Sequence, residues 1–222
     1  MPGKPLADLG GIPLVVRVLR NSGRASSLDR CLVATDDERI ADAVRAAGGG
    51  AVMTPAGLPS GSDRVARAVD AVEAEGFRYD VVVNIQGDEP FLPPEAVNAA
   101  VTALEMHAEA RIATLAVPLP SEDRVRPQVV KVLLDKAGRA RDFTREDPGP
   151  GALKHLGVYA YRRDYLERFI GLPVAPREAA ERLEQLRALA DGAVIAVAVG
   201  GWPAFGIDTP EDLEAARKLL TL

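Results

Sequence analysis

The sequence is nearly devoid of cysteine. Cys31, just ahead of the apolar run Leu32-Val33-Ala34, is the only one in 222 residues. That excludes a disulfide framework and any cysteine-based metal centre, and it suits a reducing cytoplasm. Histidine is almost as scarce, with only His107 and His155. No zinc-ligand spacing and no Ser-His-Asp or Cys-His nucleophile arrangement emerges. Long hydrophobic runs are also missing, and no apolar stretch reaches the length of a transmembrane helix. Nor is there an excess of basic charge. The formal net charge of -5 argues against a nucleic-acid partner. The opening Pro2-Gly3-Lys4-Pro5 reads as a turn, not as the apolar core of a signal peptide. There is no internal repeat and no low-complexity segment.

What is present is a chain of 47% hydrophobic and 27% charged residues, neither disordered nor membrane-embedded. Its length suits one domain, residues 1–222, with a sizeable core. An acidic chain that handles polyphosphate must gather its basic residues locally or recruit a cation.

Strand and helix patterns alternate through the first half. Residues 12–20 read as a short helix with proline near its start. Residues 30–35 read as a strand, and Asp36 or Asp37 can cap a helix over 39–47 that glycines 48–50 end. A short strand at 51–54 follows, then a helix capped by Ser62. The run Val81-Val82-Val83-Asn84-Ile85-Gln86 reads as a strand buried on both faces. A helix over 94–107 and a strand over 112–117 complete an alternation that favours a mainly parallel α/β sheet. The second half departs from it. Strands at 129–134 and 139–144, joined by the turn Asp135-Lys136-Ala137-Gly138, form an inserted hairpin. Residues 155–162 alternate, with His155, Gly157, Tyr159 and Tyr161 on one face and Leu156, Val158 and Ala160 on the other. Helices over 164–170 and 177–190, a strand over 193–199 and a helix over 210–220 complete the chain.

Two carboxylates stand out. Asp88 follows the buried strand at Gly87-Asp88-Glu89-Pro90, where open α/β sheets bind ligands. It reads either as a metal ligand held against a phosphate or as a turn aspartate capping the next helix. Asp208 lies in Gly206-Ile207-Asp208-Thr209-Pro210-Glu211-Asp212. Thr209 as N-cap, Pro210 and Asp212 account for the helix start, which leaves Asp208 free. It serves either the helix dipole or, with Asp88, a Mg²⁺ ion that keeps positions for phosphate and water. Lys4 sits in a turn that is no Walker A loop. Arg64 sits in the first turn of its helix, against the dipole preference, which points to an anion. His155 is either a structural histidine or a hydrogen-bonding partner for a polyhydroxylated substrate. Glu178, Glu181 and Glu184 share a helix face, and Glu184-Gln185 lies at the core boundary beside Leu183 and Leu186.

Together these segments resemble the CMP-Kdo synthetase (3-deoxy-manno-octulosonate cytidylyltransferase) family. The likeness runs through Pro2–Leu6 (PGKPL), Val33–Asp37 (VATDD), Ser60–Arg64 (SGSDR) and Ile85–Pro90 (IQGDEP). It continues through residues 113–118, 129–135, 155–161 (HLGVYAY), 183–187 (LEQLR) and 206–214 (GIDTPEDLE). The resemblance implies a Rossmann-like, GT-A-type nucleotidyltransferase fold. Its sheet would be mixed and mostly parallel, with a dimer-forming insertion at 119–165 and usually a homodimeric assembly. The implied reaction is CTP plus Kdo giving CMP-Kdo and pyrophosphate, in lipopolysaccharide biosynthesis. Asp88 and Asp208 would hold Mg²⁺ and Lys4 would contact the triphosphate. Thr54, Ser60, Gly61 and Arg64 would border the nucleotide. Gln86, His155, Tyr159, Glu184 and Gln185 would line the sugar-acid pocket, and Arg145 would pair with a carboxylate or phosphate. Another acidic sugar, such as 8-amino-Kdo or sialic acid, and a non-catalytic nucleotide-binding homologue are the competing readings.

The chain also departs from the family pattern. The Glu146–Leu153 loop is shorter than usual, Thr144 stands for the common serine, and Gln128 for the common asparagine. The family's opening strand and its V-I-P-A-R-x-x-S-x-R loop have no counterpart before Met1. The expectation is that Met1 is an internal methionine or a truncation point, leaving a gap in the sheet.

Overall fold

The computed structural model describes Met1 and residues 3–220. Pro2, part of the expected opening turn, therefore lies outside the described residues. Two compact units make up the chain. The first comprises Met1–Phe77, Ile85–Asn98 and Pro203–Leu222, and the second Arg78–Asn84 and Ala99–Trp202.

In the first unit the parallel strands β1 (Leu32–Thr35) and β2 (Gly50–Met53) form a two-stranded sheet. Three helices accompany them: α1 (Leu14–Ser22), α2 (Glu38–Ala46) and α3 (Gly61–Ala74). Val15, Val16 and Val44 are buried together, with Leu19, Val33 and Ala51 packed against them. The ends of these helices follow local chemistry. Asp37 caps α2 by accepting from Arg39 N–H at 2.9 Å, and Gly48 just beyond its end takes φ +80°, which glycine adopts without strain. The cap of α3 is Ser60, whose Oγ accepts from Asp63 N–H. Ser62 was the expected cap, but it is buried inside the first turn. Helix α8 (Pro210–Leu219) has the expected capping box, Thr209 with Asp212. It shares a core with the opening of the chain, where Leu9 and Leu14 pack with Ile207, Leu213 and Ala216. Burying such aliphatic side chains stabilises each by about 1.5–3 kcal/mol.

The other sheet has six strands: β3 (Val81–Ile85), β4 (Ala110–Pro118), β5 (Lys131–Leu134), β6 (Ala140–Thr144), β7 (Leu153–Arg162) and β8 (Val194–Val199). Its order is β6-β5-β7-β4-β8, with β3 also paired to β7. β4 runs parallel to β8 and antiparallel to β7, and β5–β6 is the expected hairpin. Helix α4 (Pro94–Met106) leads into β4. The buried residues of β3 are Val82 and Asn84, with the others half-buried, so it is less enclosed than its apolar run suggests.

Two departures from regularity shape this unit. On β4 and β7, Thr114 pairs with Tyr159 but Leu115 pairs with Leu156, so Gly157 and Val158 bulge out of register. The expected clean alternation along 155–162 stops there. The expected helix over 177–190 is in fact two, α6 (Pro176–Glu181) and α7 (Gln185–Ala190). Arg182 separates them at φ +55°, a conformation that costs a non-glycine residue roughly 1–2 kcal/mol. A buried ion pair spans the break: Glu178 accepts from Arg187 Nε and Nη2 at 2.5–3.1 Å. Helix α5 (Arg163–Ile170) lies where expected, and its Phe169 ring takes the Arg187 guanidinium at 4.9 Å.

Candidate functional site

In the first unit three chain-distant segments meet at Lys4. Gly3, at φ +70°, starts a single 3₁₀ turn over Lys4–Leu6. Asp88 follows β3, and its carbonyl accepts from Ile207 N–H at 2.9 Å, which seats Asp208 beside it. Lys4 Nζ donates to Asp88 Oδ2 at 2.8 Å and to Asp208 Oδ1 at 3.3 Å. Burial works to lower the pKa of Lys4, but the Asp88 hydrogen bond and charge, then Asp208, outweigh it and hold the ammonium above its usual range. Among the described residues, no three His, Cys, Asp or Glu side chains gather into a metal-holding cluster. Asp88 and Asp208 are two carboxylates bridged by Lys4.

The residues expected around the nucleotide are linked to one another. Arg64 Nη1 donates to the buried Thr54 hydroxyl at 2.6 Å, and its Nη2 pairs with Asp36 at 3.2 Å. The carboxylate beside Arg64 offsets its unfavourable place in the first turn of α3; Asp36 went unassigned because either aspartate could cap α2. Ser60 and Gly61 form the start of α3, and Thr54 N–H is tied to Thr35 O at 2.9 Å. Gln86, just past β3, is half-buried and belongs to this unit.

The other expected sugar-pocket residues lie in the second unit. Rings of Phe143, His155, Tyr159 and Tyr161 follow one another at centroid spacings of 5.2, 5.4 and 6.1 Å. His155 is 8% exposed, and burial pushes its pKa down to about 3, so the imidazole is neutral. Burial, then the nearby Tyr161 and Glu184, raises the Tyr159 phenol well above its ordinary value. Glu184 and Gln185 start α7, at the end of the Arg182 break. Gln185 is 4% exposed and its Nε2 has no hydrogen-bond partner among the described residues, an unusual state for a buried amide. Arg145 is held by backbone: Nε donates to Glu181 O at 2.8 Å and Nη1 to Pro127 O at 3.1 Å. The fully buried Lys131 donates to Arg126 O and Arg145 O, both at 2.8 Å. Burial lowers its pKa. Lys131 and Thr114 went unassigned in the sequence because each sits within a strand pattern as one more core position.

The mixed sheet with its inserted hairpin is that of the nucleotidyltransferase fold. A family described as cytidylyltransferase matches residues 1–195, and the chain belongs to it. The 3-deoxy-manno-octulosonate cytidylyltransferase of Azorhizobium caulinodans is 51% identical, the alignment covering 99% of this chain and 90% of that protein. The protein of that name from Anaeromyxobacter dehalogenans is 48% identical, with 99% and 91% covered. The solved structure of CMP:2-keto-3-deoxy-manno-octonic acid synthetase complexed with CTP superposes with a TM-score of 0.91 at 35% identity, covering 100% of this chain and 92% of that one. A 4-diphosphocytidyl-2C-methyl-D-erythritol synthase shares the fold, with a TM-score of 0.69 at 17% identity and coverage of 98% and 93%.

Proposed function

We propose that this chain transfers the cytidylyl group of CTP to the anomeric hydroxyl of Kdo, giving CMP-Kdo and pyrophosphate. The names of its relatives support the reading. The observation that carries it is Lys4 Nζ bracketed by Asp88 and Asp208. In the reaction the sugar oxygen bonds to the α-phosphorus, the bond from that phosphorus to the β-bridging oxygen breaks, and the hydroxyl proton leaves. The barrier is mostly charge and alignment, so the protein's task is positioning.

The site fits Mg²⁺. Two hard carboxylates and one ammonium leave an excess of negative charge, which would repel a polyphosphate. Asp88 and Asp208 would hold the ion, with positions left for phosphate oxygens and water. Bound there, it would neutralise phosphate charge and lower the pKa of the attacking hydroxyl. Lys4 grips the triphosphate as a permanently charged ammonium. Thr54, Ser60, Gly61 and Arg64 border the nucleotide, the last through a guanidinium oriented by Asp36. On the sugar side, Gln185 Nε2 donates to the acid substrate and His155, Tyr159 and Glu184 take its hydroxyls. Arg145 pairs with the carboxylate or a phosphate. The reading extends to a cytoplasmic homodimer serving lipopolysaccharide biosynthesis, with the 119–165 segment as the dimer face. Val125 there is 79% exposed, apolar surface that a second copy would cover.

The test is pyrophosphate release from CTP and Mg²⁺ with a panel of sugar acids. Release with Kdo is expected. Turnover with sialic acid and none with Kdo would overturn the choice of sugar.

A further inference from the structure

The fully buried Thr114 of β4 lies opposite the bulge in β7. Its hydroxyl meets the Val158 carbonyl at 2.6 Å and His155 Nε2 at 2.8 Å. A hydroxyl has one proton. The Val158 carbonyl has none, so the threonine proton points there. The Thr114 oxygen is then an acceptor toward His155, and Nε2 must carry the imidazole proton. In a neutral ring that leaves Nδ1 as the acceptor. A bare ring nitrogen repels a carboxylate and welcomes an O–H. An acid group calls for a donor instead, and the second unit has one in Gln185 Nε2, buried and without a hydrogen-bond partner among the described residues.

We propose that Thr114 is a positioning residue that fixes His155 as the Nε2-protonated tautomer, so that Nδ1 accepts a hydrogen bond from a substrate hydroxyl. The proposal rests on the sugar-pocket reading above and deepens it: the histidine selects a hydroxyl, and the acid group is left to Gln185 and Arg145. The bulge supplies the reason for a threonine. It leaves the Val158 carbonyl without a Cα partner on β4, and the Thr114 hydroxyl donates to that carbonyl while receiving the histidine proton.

The experiment is long-range proton–nitrogen NMR on the full chain labelled with ¹⁵N-histidine. Only two histidines contribute, and His107→Gln assigns them. The expected result is a His155 with protonated-type Nε2 and bare-type Nδ1, and an Nδ1 resonance that moves in the hydrogen-bonded direction when Kdo is added. Thr114→Val should lose the fixed tautomer and raise KM for Kdo about tenfold, the scale of one lost hydrogen bond, with KM for CTP little changed. Thr114→Ser should restore both. A wild-type His155 protonated on Nδ1 would overturn the proposal even if the valine variant does not fold. So would an Nδ1 signal that Kdo leaves unmoved in an enzyme that turns Kdo over. A chain inactive with Kdo sinks the reading of function instead. The valine variant's tautomer, read without substrate, then decides the Thr114 assignment alone: a change upholds it, and no change defeats it.

Discussion

His155 and Tyr159 are four residues apart on one strand, yet their ring centroids are 5.4 Å apart. Four residues of regular strand span about 13 Å. The bulged Gly157 and Val158 take up the difference and fold the strand so that both rings share a face. The cost is a histidine buried in its neutral form and packed between Phe143 and Tyr159.

That burial predicts an acid sensitivity. The folded His155 titrates at about 3 against an ordinary value of 6.5. Between those limits the unfolded chain holds a proton that the folded chain lacks, so stability is full above pH 6.5 and falls as pH drops toward 3. From pH 7 to pH 5 this one residue should cost about 2 kcal/mol. The denaturant midpoint of the wild type should fall more steeply over that window than that of His155→Gln. Equal slopes would show that the imidazole is not held neutral.

Asp88→Asn keeps the shape of the side chain and removes its charge. It takes away the closer partner of Lys4, at 2.8 Å. Turnover should drop by roughly a hundredfold to a thousandfold, the scale for losing one preorganised charge-stabilising group, with the circular dichroism spectrum unchanged. A variant with the wild-type rate and Mg²⁺ dependence would remove Asp88 from the metal site.

Gln185→Leu separates function from stability. The buried Nε2, without a partner among the described residues, is a standing cost in the free protein, so the leucine variant should gain about 1 kcal/mol. It should also raise KM for Kdo about tenfold, as expected for one lost hydrogen bond, and leave KM for CTP alone. A less stable variant with normal Kdo kinetics would mean that the amide serves the fold.

Glu178→Ala tests the clamp across the helix break. It would leave the 7%-exposed Arg187 guanidinium without its carboxylate, at a cost of about 3–5 kcal/mol. Urea unfolding measures it. A shift under 1 kcal/mol, the scale of a surface pair, would show that the pair is not what holds α6 against α7.

Much of this was legible because local chemistry decided it. Thr209, Pro210 and Asp212 form a capping box wherever they stand together, and that is what left Asp208 free to be noticed. Asp88 was legible from the sudden change from apolar strand to Gly87-Asp88. Three features stayed hidden because they depend on partners far along the chain. The left-handed turn at Arg182 carries no glycine to announce it, and it is spanned by the pair of Glu178 with Arg187. The bulge at Gly157 and Val158 is set by register against β4. Thr114 reads as filler in an apolar strand until Val158 and His155 are placed around its hydroxyl. Ser60 and Ser62 both fit a cap, and only the helix start distinguishes them.

The order of synthesis has a consequence for the carboxylate pair. Lys4 and Asp208 are 204 residues apart in sequence, which at ordinary translation rates separates their synthesis by roughly 10 to 40 seconds. Leu9 and Leu14 wait as long for Ile207, Leu213 and Ala216 to complete their core. The second unit draws nearly all its residues from the continuous stretch Ala99–Trp202, whereas the first is assembled from segments at both ends of the chain. A chain released at Trp202 would carry every residue of the second unit, His155, Tyr159 and Gln185 among them, and would hold Lys4 and Asp88 with no Asp208 to join them.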